Sequence, residues 1–310
     1  MRDRFWAAFG AALLLALAAG AAHSTEAPSL RSAAVLVMDE QTGEILYDKN
    51  ANAVVPIASI TKLMTAMVTL DAALPGDEEI EISQSEVTAT KGAGLRSNLR
   101  PGAKLTRDSL LQVALMASEN RAAAALGRTY PGGTEAFVQA MNDKAAELDM
   151  NDTRFVEPTG LSSANVSSAG DLAKLVRAAK GYAPIREYTT SASATLRIGR
   201  RPVTYVNTNG LVRSGSWEIG LSKTGFIRDA GRCLVMQANV AARSVIIVLL
   251  DSVGKYTRIG DANRIRQWLE PGYVAPAGSG RPTRVRARVL SADRTAGSRV
   301  RVQLEPPQPL

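Results

Sequence analysis

The sequence predicts an α+β fold in which an antiparallel sheet is flanked by helices and interrupted by an inserted helical subdomain. Three observations support this prediction: strand-type alternation near residue 33, helical periodicity through the middle of the chain, and strand-type segments again after residue 195. Separate runs of strands and helices are typical of α+β proteins. We expect one domain at residues 25–273, with the helical subdomain at about 75–192.

The first half of this domain is predicted to open with a β-hairpin. Apolar residues alternate in 33–38 and in 45–47, on either side of a turn at 39–43. From Ser59 to Leu70 the apolar residues fall on one helical face, so Ser59 is expected to start a helix. Further helical patterns occupy Leu110–Met116, Phe137–Leu148 and Leu172–Ala179, the last behind a capping pattern at Ser168–Asp171.

The second half is predicted to return to strands and to close with a helix. The strand-type segments are Thr195–Ile198, Val203–Val206, Trp217–Thr224, Cys233–Val240 and Ser244–Leu250. An amphipathic pattern at Ala262–Leu269 predicts the closing helix. Because strands come from both ends of the chain, we expect them to meet in a single sheet.

The N-terminus has the pattern of an export signal. Arg2 and Arg4 precede an apolar run from Phe5 to Ala22 that is rich in small residues. We therefore expect residues 1–22 to be a signal peptide and the protein to reach the periplasm. A retained membrane anchor is the alternative, because the run is near the lower length limit for a bilayer span.

Positive charge is concentrated at the C-terminus. Of the formal net charge of +8, residues 275–310 carry +5 and residues 1–24 carry +1, which leaves +2 for the body. A body with few aromatic residues and no basic stripe argues against nucleic-acid binding. We expect residues 274–310 to form a basic disordered tail, with a small hairpin as the alternative. Its charge suits adhesion to an anionic wall polymer or an acidic partner.

The histidine and cysteine content excludes several kinds of catalytic site. His23 is the only histidine and lies beside the expected cleavage point, so a Ser-His-Asp relay or a His-ligated zinc site is not available. Cys233 is the only cysteine, which excludes an intramolecular disulfide, and we interpret it as a buried core thiol. We expect a site that needs neither metal nor cofactor.

Ser59 and Lys62 are the predicted nucleophile and base. Their i, i+3 spacing puts both side chains on one helix face, where a lysine can take the serine proton if its pKa is lowered. Burial or a second nearby cation is needed for such a shift. Ser252 and Lys255 repeat the spacing past a strand end, but Gly254 between them favours a surface loop.

Two further motifs strengthen this hypothesis. Ser118-Glu119-Asn120 lies in an expected tight turn between helices, although Ser163-Ala164-Asn165 shows that the pattern is common. Lys223-Thr224-Gly225 is rarer and lies in an apolar strand, where Gly225 permits close approach of a substrate backbone. The three motifs in this order occur together in β-lactamases and penicillin-binding proteins.

The motifs and their surroundings resemble the D-alanyl-D-alanine carboxypeptidase/endopeptidase family of low-molecular-mass penicillin-binding proteins. The segments that carry the resemblance are Ile57–Thr65, Phe155–Ser162 and Ala230–Leu234. It extends over about residues 33–270 and points most closely to the endopeptidase branch, the penicillin-binding protein 7 type, of which Glu119 is a feature. The resemblance implies a β-lactamase/transpeptidase-like fold.

The resemblance also implies a catalytic role for five residues. Ser59 would attack the D-Ala carbonyl while Lys62 takes its proton, and Lys223 would be the second cation that keeps Lys62 partly neutral. Ser118 would pass the proton to the leaving amine. Asn120 would bind the substrate amide and hold Lys62 in place.

Substrate binding is implied for the strand that carries the third motif. The backbone N–H groups of Ser59 and Phe226 would form the oxyanion hole, next to Gly225, while Lys223 and Thr224 would hold a free carboxylate. The substrate would be a peptidoglycan peptide, either at a D-Ala–D-Ala end or at a D-Ala–diaminopimelate cross-link, and β-lactams would be inhibitors.

Two residues, Ile227 and Glu157, leave the substrate preference and the reaction type open. Ile227 stands where the family commonly has threonine, which removes a hydroxyl from the pocket edge. Glu157 faintly resembles the deacylating glutamate of class A β-lactamases, but the residues after it differ, so we interpret it as a loop charge. A serine β-lactamase and a non-catalytic sensor of penicillin or peptidoglycan are the alternatives to a peptidase.

Overall fold

The computed structural model describes residues 26–91 and 97–274. The predicted signal peptide, His23 and the tail from residue 275 onward lie outside the described residues. Within the two described ranges, no helix is long and apolar enough to span a bilayer.

The described residues follow the predicted order of hairpin, helices, strands and closing helix, but short strands also occur in the helical middle and a short helix separates the later strands. The strands are β1 (Ala34–Asp39), β2 (Ile45–Lys49), β3 (Val55–Pro56), β4 (Glu79–Glu81), β5 (Lys104–Thr106), β6 (Val166–Ser167), β7 (Ser193–Ile198), β8 (Arg201–Val206), β9 (Glu218–Ile227), β10 (Gly231–Val240) and β11 (Arg243–Ser252). The helices are α1 (Thr61–Asp71), α2 (Gln84–Ala89), α3 (Arg107–Met116), α4 (Asn120–Arg128), α5 (Gly133–Glu147), α6 (Ala169–Ala179), α7 (Ala183–Thr190), α8 (Gly210–Ser214) and α9 (Thr257–Leu269).

The main sheet is antiparallel and is built from both ends of the chain, which confirms the predicted fold class. Its strand order is β2-β1-β11-β10-β9, so the N-terminal hairpin joins the three C-terminal strands through the β1–β11 pair. In that pair Ala34 lies opposite Leu250 and Val37 lies opposite Ile247. The apolar runs of β10 and β11 are buried almost throughout, because both faces of the sheet are covered.

Alternate residues of the central strands face two separate cores. The larger core, on the side of the helical region, receives Ile246, Val248 and Leu250, whereas the smaller core receives Val245, Ile247 and Leu249. Helix α9 covers the smaller core with Ala262 and Ile265. Helix α6 packs on the opposite face, against β1, β10 and β11. Period-two alternation in β11 thus explains how one strand supports both layers.

The helical region is organised around α1, which packs against α3, α4, α5 and α6. The residues from Thr61 to Thr69 are buried, so this helix carries the second catalytic candidate into the interior. Helix α6 begins where Ser168 accepts a hydrogen bond from the Asp171 N–H, as the capping pattern predicted. Helix α6 falls inside the predicted helical subdomain at 75–192. It nevertheless packs on the main sheet as well as on α1, and so connects the sheet to the helical region.

The segment around Ser59 differs from the expected helix start. A 3₁₀ turn covers Ala58–Ile60, and α1 begins only at Thr61. The backbone of Ala58 has a φ of +48°, in the left-handed region that alanine seldom adopts. The Thr61 hydroxyl donates a hydrogen bond to the Ala58 carbonyl at 2.8 Å, which holds the turn closed. Ser59 therefore precedes the regular helix that carries Lys62.

Candidate active site

Ser59 is held by close backbone contacts with two glycines. A Cβ atom added at Gly160 would lie 2.0 Å from the Ala58 carbonyl oxygen, and one added at Gly225 would lie 3.1 Å from the Ser59 nitrogen. Gly160 also has a φ of +78°, which a side chain disfavours. The turn that carries Ser59 is therefore confined between the loop at 157–162 and strand β9.

Lys62 connects the nucleophile to two other parts of the site. Its Nζ lies 2.9 Å from Ser59 Oγ and donates to Asn120 Oδ1 at 2.7 Å. It also donates to the Thr159 carbonyl oxygen. The side chain is only 1% exposed. Burial lowers the pKa of Lys62 to about 8, although the negative charges of Glu157 and Glu119 oppose that shift.

Lys223 lies on β9 and reaches the second motif. Its Nζ donates to Ser118 Oγ and to the Thr224 carbonyl oxygen, both at 2.9 Å. Burial lowers the pKa of Lys223 well below the usual value, and repulsion from Lys62 and Arg258 adds to this effect. The positive charge of Lys62 thus opposes protonation of Lys223, whereas the lowered pKa of Lys62 itself arises from burial.

Ser118, Glu119 and Asn120 form the turn between α3 and α4. Ser118 has a φ of +59°, a strained conformation for a residue with a side chain, which directs its hydroxyl toward Lys223. Glu119 caps α4 by accepting a hydrogen bond from the Ala122 N–H at 2.7 Å. Asn120 is therefore the first residue of α4. Its side-chain oxygen accepts the hydrogen bond from Lys62 Nζ.

The structure brings together the residues that the three motifs predicted. Ser59, Lys62 and Asn120 form one hydrogen-bonded set, from the 3₁₀ turn, α1 and α4. Ser118 of the α3–α4 turn and Lys223 of β9 form a second set. Thr224 extends it, because its hydroxyl lies 2.6 Å from the Thr208 hydroxyl. Phe226 is 56% exposed at the edge, with the guanidinium of Arg232 4.5 Å from its ring centroid. Ile227 follows it at the end of β9.

Glu157 has a structural function that the sequence analysis did not identify. Its carboxylate accepts hydrogen bonds from the Thr159 N–H at 2.6 Å, the Thr159 hydroxyl at 2.5 Å and the Gly160 N–H at 2.6 Å. Asn165 also donates to it, at 3.1 Å. Glu157 therefore closes the loop whose Thr159 carbonyl binds Lys62, and it is more than an unpaired loop charge.

Arg258 is a further residue that the sequence analysis missed. It comes from the first turn of α9, and its Nη1 donates to the carbonyl oxygens of Gly225 at 2.9 Å and Cys233 at 3.0 Å. Burial lowers the pKa of Arg258 to about 10. Its charge contributes to the low pKa of Lys223. The sequence gives little indication of this role, because Arg258 is one of several arginines in a basic helix and belongs to no recognisable motif.

Neither repeated pattern supplies a second catalytic set, although Asn165 supports the loop beside Lys62. Ser252 is buried at the end of β11, where its hydroxyl lies 2.6 Å from that of Ser32, whereas Lys255 is exposed. Asn165 of the other repeat is buried and donates to the Thr61 hydroxyl at 3.1 Å. Cys233 is buried, and burial raises the pKa of its thiol to about 11. No cluster of metal-ligating side chains occurs within 26–91 and 97–274.

Two cavities are lined in part by residues next to the catalytic set. One of about 1070 Å³ is lined by Glu157, Thr159, Phe226 and Ile227 among others. Another, of about 310 Å³, includes Ser118 in its wall. The arrangement can therefore activate Ser59 through a partly neutral Lys62, and both cavities adjoin residues of the site.

Comparison with known proteins gives a consistent assignment. The chain matches the D-alanyl-D-alanine carboxypeptidase family over residues 21–254. It is 47% identical over 270 residues to a D-alanyl-D-alanine endopeptidase of Pseudomonas aeruginosa, covering 86% of this chain and 85% of that protein. A D-alanyl-D-alanine endopeptidase of Escherichia coli is 46% identical over 258 residues, with 83% of each chain covered.

The solved structures agree with this assignment. The Streptomyces K15 DD-transpeptidase superposes with a TM-score of 0.74 at 28% identity, covering 79% of this chain and 98% of that one. This similarity supports the predicted transpeptidase-like fold. Together with the family match over most of the sequence, it leads to one conclusion: the chain belongs to the D-alanyl-D-alanine carboxypeptidase family.

Proposed function

We propose that this protein is a serine D,D-peptidase that hydrolyses D-alanyl bonds in peptidoglycan through an acyl-enzyme. The observation that carries the proposal is the position of Lys62, which is buried, has a pKa of about 8, and lies between Ser59 Oγ and Asn120 Oδ1. With that pKa, roughly a tenth of the lysine is neutral at pH 7 and able to accept a proton.

Acylation begins when Ser59 Oγ attacks the D-Ala carbonyl carbon and transfers its proton to Lys62. The developing oxyanion accepts hydrogen bonds from the backbone N–H groups of Ser59 and Phe226, an interaction often worth about 3 kcal/mol. Asn120 binds the amide of the substrate. Collapse of the intermediate breaks the C–N bond and leaves an ester on Ser59.

The leaving amine takes its proton through Ser118. Because Ser118 Oγ lies 2.9 Å from Lys223 Nζ, the serine can donate its own proton and recover one from the lysine pair. A water molecule then attacks the ester carbonyl, releases the carboxylic acid and restores the Ser59 hydroxyl. No metal or cofactor enters these steps.

A free carboxylate on the leaving residue would bind to Lys223 and Thr224. An anion beside Lys223 favours its protonated form, so substrate binding restores the positive charge that burial disfavours. Both a D-Ala–D-Ala end and a D-Ala–diaminopimelate cross-link present such a carboxylate. The proteins 46% and 47% identical to this chain are named endopeptidases, which favours the cross-link as substrate.

A β-lactamase would need an additional base for rapid hydrolysis of the acyl-enzyme. Glu157 does not suit that task, because its oxygens already accept hydrogen bonds from Thr159, Gly160 and Asn165. We therefore expect β-lactams to acylate Ser59 and to remain bound as inhibitors.

Two assays test this function. Fluorescent penicillin should label the protein once per chain, with no steady turnover of nitrocefin, and Ser59→Ala should abolish labelling. Ser163→Ala, which changes an exposed serine of the other Ser-x-Asn pattern, should label normally. Purified sacculi should lose cross-linked dimers, as seen by mass spectrometry. Trimming of pentapeptides alone would identify a carboxypeptidase, and steady nitrocefin hydrolysis would contradict the proposal.

The proposal extends to location and to the basic tail. Residues 1–22 would direct export to the periplasm, and the +5 charge of residues 275–310 would attract anionic wall polymer. Deletion of residues 275–310 should weaken sacculus binding at low salt without reducing penicillin labelling. Equal binding by the full and shortened chains would contradict a role for the tail.

A further inference from the structure

The smaller cavity beside the catalytic residues combines polar and apolar lining and has a defined position. It has a volume of about 310 Å³ and lies between the α3–α4 turn and strand β8. Ser118, Glu119 and Asn120 form one wall, Tyr205 and its neighbours form the other, and Asn98 lies at the rim. The catalytic turn is therefore shared between the reacting centre and this cavity.

Two polar atoms in the cavity lining lack hydrogen-bond partners among the described residues. They are the hydroxyl of Tyr205 and Nε of Arg121, both buried. Tyr205 is only 7% exposed. Burial, reinforced by the charge of Glu119, raises the pKa of Tyr205 to about 12, so the phenol keeps its proton. Unpaired buried polar groups are costly, and these two donors suit a ligand that brings carbonyl or carboxylate oxygens.

The position of the cavity identifies which part of a substrate would reach it. Ser118, which would protonate the leaving amine, contributes to its wall. Thr208 also lines it and contacts the hydroxyl of Thr224, which would hold the leaving carboxylate. In contrast, the cavity of about 1070 Å³ begins at Phe226 and Thr159, on the side of the oxyanion hole. The smaller cavity therefore adjoins the amine side of the scissile bond.

We propose that this cavity binds the amine-side strand of a peptidoglycan cross-link, namely the long side chain of the diamino acid and the peptide attached to it. The inference rests on the proposed peptidase function and adds a source of preference to it. A terminal D-Ala offers only a methyl group beyond its carboxylate and leaves the cavity unused. A cross-linked diamino acid would fill it and would bring peptide oxygens to Tyr205 and Arg121.

The test compares two substrates in variants of the cavity. The rate constant kcat/KM is measured for a cross-linked muropeptide dimer and for a disaccharide pentapeptide that ends in D-Ala–D-Ala. Tyr205→Phe removes only the unpartnered hydroxyl, and we expect the ratio of dimer to pentapeptide kcat/KM to fall about fivefold, the effect of one hydrogen bond. Asn98→Trp, which narrows the exposed rim, should lower the same ratio further.

A matched control and a separate readout make the outcome decisive. Tyr256→Phe makes the same chemical change at an exposed tyrosine before α9 and should leave the ratio unchanged. If Tyr205→Phe and Asn98→Trp lower both rates by equal factors, or neither rate, the inference is overturned while the peptidase function stands. If the unmodified protein is not acylated by fluorescent penicillin and cleaves neither substrate, the proposed function itself is overturned and the inference with it.

Discussion

Among single residues, Lys62 has the largest influence on the proposed chemistry, because only its neutral form can accept the proton of Ser59. Burial lowers its pKa, whereas Glu157 and Glu119 raise it, and the balance is about 8. We therefore expect the acid limb of the pH profile of acylation, the range in which the rate rises with pH, to lie near this pKa. A change in either carboxylate should therefore move that limb.

Glu119→Gln should move the acid limb of acylation to lower pH. The amide removes a negative charge that stabilises the Lys62 ammonium, so the pKa of Lys62 falls and more of it is neutral at pH 6.5. The amide oxygen of glutamine can still accept the capping bond from Ala122. The measurement is the second-order rate constant for penicillin acylation between pH 5 and pH 9, roughly the range on either side of a lysine with this pKa.

Glu187→Gln is the control for this experiment, since it removes an exposed carboxylate from α7. Its pH profile should overlay that of the unmodified protein. If the acid limb of the acylation profile of Glu119→Gln moves to higher pH or does not move, the charge of Glu119 does not influence the pKa of Lys62.

The residues of the site were predictable from the sequence to the extent that they occur in short motifs. Ser59 and Lys62 are one helical turn apart, and burial of the helix face explains the shifted lysine. Arg258 and the Thr159 carbonyl were not predictable, because their contacts join positions far apart in the chain that no local pattern connects. Glu157 was placed in a loop correctly, but its hydrogen bonds depend on the conformation of that loop.

Among the elements, the loop at 157–162 and the 3₁₀ turn act as a pair. Gly160 packs directly against the backbone of Ala58. The loop can approach the turn that carries Ser59 this closely only because residue 160 has no side chain. Through Thr159 the same loop also holds Lys62. Displacement of this loop should therefore disturb the nucleophile and its base together.

Gly160→Ala should destabilise the protein by about 2 kcal/mol or more and slow acylation. The added Cβ would combine an unfavourable φ of +78° with a 2.0 Å overlap on the Ala58 carbonyl oxygen. Gly199→Ala is the matched control, because Gly199 has a φ of +59° but no atom within 4 Å of the added Cβ. Thermal unfolding and penicillin acylation are measured for both; equal effects would show that the close approach is unimportant.

Elements were predictable where the apolar period was clear. Strands β9, β10 and β11 and helix α6 occupy the segments that periodicity indicated, with ends shifted by a few residues. The 3₁₀ turn at Ala58–Ile60 was not predictable, because its strained backbone depends on contacts with Gly160 and Gly225. The position of α6 on the sheet likewise follows from tertiary packing and not from the chain order.

In the molecule as a whole, stability depends on joining the two ends of the domain. Strand β1 pairs with β11, and a buried polar cluster fastens the segment before β1 to α9. Asp261 of α9 accepts hydrogen bonds from the Ser32 N–H at 2.7 Å and the Ser32 hydroxyl at 2.6 Å. Ser252, at the end of β11, contacts the same Ser32 hydroxyl. The cluster lies on the α9 side of the sheet, opposite the helices that carry Lys62 and Asn120.

Asp261→Asn should therefore lower the free energy of unfolding without changing the acylation rate of the folded protein. The amide replaces an acceptor oxygen with a donor that faces the Ser32 hydroxyl and Arg264, and a mispaired buried polar group typically costs about 2 kcal/mol. Urea unfolding followed by tryptophan fluorescence measures the change, and Asp77→Asn, at an exposed aspartate, should unfold like the unmodified protein. An unaltered midpoint in Asp261→Asn would mean that the strand pairing holds the chain ends together without this cluster. Slower acylation in the folded protein would instead show that the cluster acts on the site through β11.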